Sequence, residues 1–145
     1  MTRYPHLLPA DAALLDQYLA SVPDKYSDVF MDVHVGEGRD PGPSFDDNIR
    51  RMAIQLSLRR IDCVAFAVDH VDIIEVTTAA ASTALGQLMA YPALYVATFH
   101  PTVPVAPLLI TLEFKTDMQQ IFEFYSIPYI ILPPTPLAPT GDKAP

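Results

Sequence analysis

Arg60-Ile61-Asp62-Cys63-Val64, then Ile73-Ile74-Glu75-Val76-Thr77, then Gly86-Gln87-Leu88-Met89-Ala90-Tyr91 follow one another between positions 60 and 91. The first two runs are apolar and β-branched, and each is broken by one acid. Residues 58–68 and 71–77 therefore read as strands, and Asp69-His70 is short enough to join them as a hairpin. Side chains alternate along a strand, so Ile73, Glu75 and Thr77 are expected on one face. The Ala/Leu-rich segment 79–91 reads as a helix on which Gln87 and Tyr91, four apart, share a side. Pro92 is expected to kink or interrupt that helix.

Upstream, Leu14, Leu15, Tyr18 and Leu19 recur at helical spacing, so residues 9–21 read as a helix with Asp11 serving its N-terminal end and Pro23 ending it. Residues 26–35 alternate, with Val29, Met31, Val33 and Val35 expected on one face of an outer strand. Residues 36–44 are a Gly/Pro loop. Residues 45–56 read as a short helix with Ile49, Met52, Ala53 and Leu56 on one side and Asp46-Asp47 in its first turn. Downstream, residues 100–107 read as a Pro-rich loop and 108–114 as a buried strand. A helix over 117–125, capped by Asp117, and a last strand over 128–132 complete the order. This is a mixed α/β pattern in which a hairpin over 58–77 is followed by helix, strand, helix and strand. The passage from the hairpin to 108–114 implies a right-handed parallel crossover.

The length of 145 residues is that of one domain, placed at 1–132, with an extended Pro-rich tail over 133–145. A net charge of −8, with only three lysines and six arginines, argues against a broad nucleic-acid-binding face; a local patch around Arg50-Arg51 or Arg59-Arg60 is the most that composition allows. The single Cys63 sits in an apolar run and reads as a buried thiol, and neither a disulfide framework nor a Cys-based zinc site can be built from it. His6, His34, His70 and His100 are scattered, with no helical i, i+4 pair for a metal. No signal peptide or membrane span is read, so a soluble protein, in a host cytoplasm or carried in a virion, is expected.

Hydrolysis of a phosphodiester with a divalent ion needs hard oxygen ligands close together and a group that activates water or stabilises the leaving charge. Two acids on neighbouring strands of a hairpin can supply the ligands. The ordered set Arg-Ile-Asp, Ile-Ile-Glu-Val and Gly-Gln-Leu-x-x-Tyr resembles the core of the PD-(D/E)XK nuclease superfamily. The resemblance covers residues 60–91 in motif and about 28–132 in element order. It implies a restriction-endonuclease-like core, a mixed central sheet flanked by helices. It also implies Asp62 and Glu75 as acids for Mg²⁺, and Gln87 and Tyr91 as the Gln-x-x-x-Tyr element that places substrate. Thr77 stands where that family has its catalytic lysine. Among Lys25, Lys115 and Lys143, Lys115 is the best candidate to replace it. Arginine stays protonated and cannot serve as a base.

Plainer readings stand beside these. Asp62 can be a strand residue paired with Arg60, Glu75 a solvated or salt-bridged one, and Gln87 and Tyr91 the packing face of a helix. Asp46-Asp47 can add acidic oxygen to a metal site. Two functions follow. One is a non-catalytic structural or assembly protein, with other protein subunits as partners, as a homo-oligomer or in a larger assembly, and with no cofactor. The chain also resembles small bacteriophage proteins with this core, which implies a virion role such as a head–tail or neck accessory subunit. The other is a Mg²⁺-dependent DNA nuclease whose lysine is relocated or missing, carried by Asp62, Glu75, Gln87 and Tyr91.

Overall fold

In a computed structural model, which describes residues 6–134, the chain runs through Pro9–Ser21 (α1), Asp28–Val35 (β1), Asp47–Ser57 (α2), Arg59–Phe66 (β2), Val71–Ala80 (β3), Ser82–Phe99 (α3), Val105–Phe114 (β4), Met118–Phe124 (α4) and Tyr129–Ile131 (β5). The strands form one open mixed sheet in the order β1-β2-β3-β4-β5. β2 is antiparallel to both its neighbours, while β3, β4 and β5 are parallel. The tail expected over 133–145 lies, from residue 135 onward, outside the described residues.

Alternation along β3 and β4 sorts the core into two layers. Ile74, Val76, Leu108 and Ile110 pack with Leu14, Leu15 and Tyr18 of α1. Their neighbours turn to the other face, where Ile73 meets Tyr91 and Tyr95, and Leu109 meets Ala84, Leu88, Met118 and Phe122. α1 therefore covers one face of the sheet, and α3 and α4 cover the other.

The single apolar face expected for β1 is not what forms. Val29 and Met31 pack on the α1 side, but Val33 and Val35 pack on the α3 side. The switch falls at Asp32, whose φ of 53° lies in the left-handed region and turns the strand over. β2 follows in register, because Met31 faces Cys63 and Val33 faces Ile61. Cys63 and Ala65 thus lie with α1, and Ile61 lies with α3. Asp32 is fixed there by the Arg60 guanidinium, which donates from Nε and one terminal nitrogen to its two carboxylate oxygens at 2.8 and 2.6 Å. Arg60 is therefore engaged by Asp32, not by Asp62.

Pro92 does not end α3, which runs on to Phe99. Ala84, Leu88, Tyr91 and Tyr95 are buried at 4-3-4 spacing along one face, and their packing on the sheet carries the helix past the missing amide. β4 also begins earlier than Leu108. Pro107 fits into it because β5 covers only Leu109–Thr111, leaving the outer edge of β4 open at the proline. Asp117 precedes α4 as expected, but in a left-handed conformation and without a capping hydrogen bond from its side chain. Asp46 does cap α2, accepting from the Ile49 amide at 3.0 Å. His100 closes α3 at φ 49°, where glycine carries no steric cost. His100→Gly is expected to raise stability by about 0.5–1 kcal/mol, seen as a higher urea midpoint at unchanged m-value.

Candidate acid cleft

The β2–β3 ladder stops at Cys63↔Ile74. One step further the turned-over β2 parts from β3, and Asp62 and Glu75 face each other across the gap. Backbone amides left without ladder partners must be satisfied by other groups. Here the carboxyl groups do it reciprocally: the Val76 N–H donates to Asp62 Oδ2 at 3.0 Å, and the Asp62 N–H donates to Glu75 Oε1 at 3.2 Å. The two acids expected to meet at the end of the hairpin do meet.

Glu75 is only 3% exposed. Burial pushes its carboxyl well above the usual carboxylate range; the charge of Asp62 and a hydrogen bond with that side chain push in the same direction, against the lowering effect of the Asp62 amide. Glu75 is therefore not solvated, and it has no ion-pair partner among the described residues. Its burial beside Asp62 favours the neutral form of the carboxyl.

A cleft of about 280 Å³ opens over the pair. Thr77 and Gln87 line it, as the strand and helix periodicities lead one to expect. Thr77 sends its hydroxyl to the Ala79 carbonyl of its own strand at 3.4 Å. Tyr91 is buried and hydrogen-bonded to Gln87, but it lines the neighbouring groove and not the acid cleft. Burial raises the Tyr91 hydroxyl above its ordinary value. Gln87 also borders a larger groove of about 770 Å³ in which Arg39 and Arg59 stand.

Two further residues line this cleft without a sequence signal pointing to it. Asp11, expected at the helix end, reaches across from α1. Burial raises its carboxyl, an accepted hydrogen bond from Thr78 lowers it, and the charge of Asp62 raises it further. His6 lines the same cleft, and its two ring nitrogens are buried with no hydrogen-bond partner among the described residues. Only the i-to-i+3 neighbourhood of α1 is visible in sequence, and the crossing of α1 over the sheet is not.

The lysines lie elsewhere. Lys25 is 3.7 Å from Asp72, at the turn end of the hairpin. Lys115 follows β4 and lines a separate depression with Thr116 and Asp117 before α4, so it does not fill the lysine position beside Thr77. Lys143 lies outside the described residues. Asp46 and Asp47 belong to α2, and neither lines the acid cleft. Cys63 is fully buried and free, and burial pushes its thiol up to about 12.

The chain matches no protein-family model, and neither the search of curated proteins nor that of solved structures returned a match. Among the described residues, no three Asp, Glu, His or Cys side chains are grouped so as to hold a metal ion, and no helix is long and apolar enough to cross a membrane. What the cleft offers chemically is a buried pair of carboxyl groups bonded to strand amides. Magnesium often uses one or two carboxylates and keeps water in its remaining positions, so Asp62 and Glu75 are the side chains that suit it.

Proposed function

We propose that this chain is a non-catalytic structural or assembly subunit built on a restriction-endonuclease-like core. The sheet order, with β2 alone antiparallel and helices on both faces, supports that core. The observation that carries the functional reading is the hydrogen bonding of the acid pair. Asp62 and Glu75 are tied to strand amides, and burial of Glu75 beside Asp62 favours its neutral form. Two residues along β3 from Glu75, the position that the resemblance gives to a lysine carries a threonine hydroxyl bonded to the backbone of its own strand. Nuclease chemistry asks the reverse, two ionised ligands and a fixed cation. In this reading the acids close the splayed end of the hairpin, and the surface of the molecule serves protein partners. A virion accessory subunit is the setting that the resemblance to small bacteriophage proteins implies.

The second reading is favoured by the convergence of Asp11 and Gln87 on the acid pair. In a nuclease, Asp62 and Glu75 would hold Mg²⁺, which would supply an activated water, and Gln87 would orient the substrate strand. Calorimetric titration with Mn²⁺ separates the two. The assembly reading expects no saturable heat at micromolar metal, whereas a one-to-one site that disappears in Glu75→Gln supports the nuclease.

A further inference from the structure

The groove of about 770 Å³ beside the acid cleft follows α3, which lines it from Thr83 to Leu94, about 16 Å of helix. Its floor is low because Gly86, Ala90 and Ala93 stand exposed along that side of α3. Gly86 has no local reason to be glycine. Its φ is not positive, and a side chain there would meet nothing within 4 Å. Glycine weakens a helix interior, so what this one provides is room above α3. The facing wall is the loop after β1, and it is pinned at both ends. The Gly36 amide donates to the Thr98 hydroxyl of α3 at 3.2 Å, and the Arg39 amide donates to the Ser57 hydroxyl. Arg39 and Arg59 line the groove, and neither guanidinium has an ion-pair partner among the described residues. Arg59 is near enough to Tyr91 for its charge to oppose the rise that burial gives that hydroxyl. Against these two cations the lining holds one carboxylate, that of Glu37.

We propose that this groove docks an extended acidic peptide of a partner protein, with its carboxylates on Arg39 and Arg59 and its alternate, aliphatic side chains over Gly86 and Ala90. The proposal rests on the assembly reading above and names the chemistry of the partner. About 16 Å of groove takes about five extended residues, whose side chains point alternately to two sides. One set meets the arginine wall while the other lies on the small residues of α3. Guanidinium forks match carboxylates in two-armed geometry, and two of them without acids of their own are a ready partner for an acidic segment. The chain as a whole carries a charge of −8, so the attraction is local to this wall. A nucleic-acid strand fits less well. It asks for cations along its whole backbone and for open rings on which its bases stack. The groove has two arginines, and its one aromatic lining residue, Tyr91, is only 8% exposed. A small molecule would leave much of so long a groove unfilled.

The test is fluorescence anisotropy of labelled peptides of that length, with Glu or Asp alternating with Val or Leu, titrated with the full chain at low salt. Saturable binding is expected, and replacing the acids by their amides should weaken it at least ~10-fold. Arg39→Ala and Arg59→Ala should each weaken it by a similar factor with circular dichroism unchanged, because both side chains are exposed. Gly86→Leu should abolish binding without lowering the melting temperature, because leucine favours the helix and its side chain fills the groove. Absence of saturable binding by any of the peptides overturns the proposal. So does binding that is unchanged with the amide peptides, in both arginine variants or in Gly86→Leu, although the assembly reading then stands on another face. Oligothymidylate that binds in preference to the peptides, and is lost in Arg59→Ala, overturns the proposal in favour of a nucleic-acid strand. Metal-dependent DNA cleavage bears on the assembly reading separately and leaves the peptide measurement intact.

Discussion

Asp72→Ala is expected to destabilise the fold by about 3 kcal/mol. Asp72 lies on β3 near the turn end of the hairpin and is only 5% exposed. Its carboxylate accepts from the Tyr26 hydroxyl, which in turn shares a 2.7 Å hydrogen bond with the Tyr18 hydroxyl of α1. His70 Nε2 stands 3.1 Å from it, and the Lys25 ammonium 3.7 Å. Removing the carboxylate leaves a part-buried hydroxyl pair and two basic groups without their shared acceptor, which is the costly way to break a polar network. Lys25 can turn to solvent, so most of the loss falls on Tyr26 and His70. Asp72→Asn, which keeps an acceptor for Tyr26, should cost clearly less. Urea unfolding of the three proteins measures both. His70 adds a pH signature. Its imidazolium is stabilised first by the hydrogen bond to Asp69 and then by Asp72, so its value in the fold is raised from 6.5. That contribution is fully present below pH 6.5 and is lost as pH rises through the raised value. The cost of Asp72→Ala should therefore be larger in mild acid than in alkali.

Glu75→Gln is expected to work in the opposite direction and stabilise the protein. The native carboxyl is buried beside Asp62, and its value in the fold is raised from 4.5. A group raised in this way favours the fold fully below pH 4.5, and its contribution falls as pH climbs through the raised value. Glutamine keeps an acceptor for the Asp62 amide and carries no charge to neutralise. The gain over wild type should be small at pH 4 and reach at least about 1.4 kcal/mol near neutrality, a tenfold change in the folding equilibrium. Thermal unfolding across that pH range reads it. A Glu75→Gln protein that gains nothing between pH 4 and 7 would show that the two carboxyl groups are not buried together.

Much of the fold was legible because it rests on local patterns. The hairpin announced itself through two β-branched runs, although its connection spans residues 67–70 and not Asp69-His70 alone; α1, α2 and α4 announced themselves through helical spacing, with Asp46 alone of their expected end residues making a side-chain cap. The convergence of Asp62 and Glu75 followed from placing both on paired strands. What escaped was set by geometry that sequence does not encode position by position. The reversal at Asp32 depends on one residue in the left-handed region, and alternation through Val29, Met31, Val33 and Val35 looks the same with or without it. That reversal in turn parts β2 from β3 and makes the acid pair bond to amides. Pro92 acts locally against the helix, and the buried stripe from Ala84 to Tyr95 overrides it. In α2 the periodicity gave the apolar stripe correctly, but not that the stripe would stand exposed. Asp11 joined the cleft through the crossing of α1 over the sheet, a tertiary contact with no motif behind it.

The proposed role gives Asp62 and Glu75 a structural task and no chemistry. Incubation of the full chain with supercoiled plasmid, linear duplex and single-stranded DNA, in Mg²⁺ and in Mn²⁺, tests it most directly. The account predicts that product formation matches the metal-free control and the Glu75→Ala protein on every substrate. Metal-dependent cleavage by the wild type that is abolished in both Asp62→Asn and Glu75→Ala would contradict it.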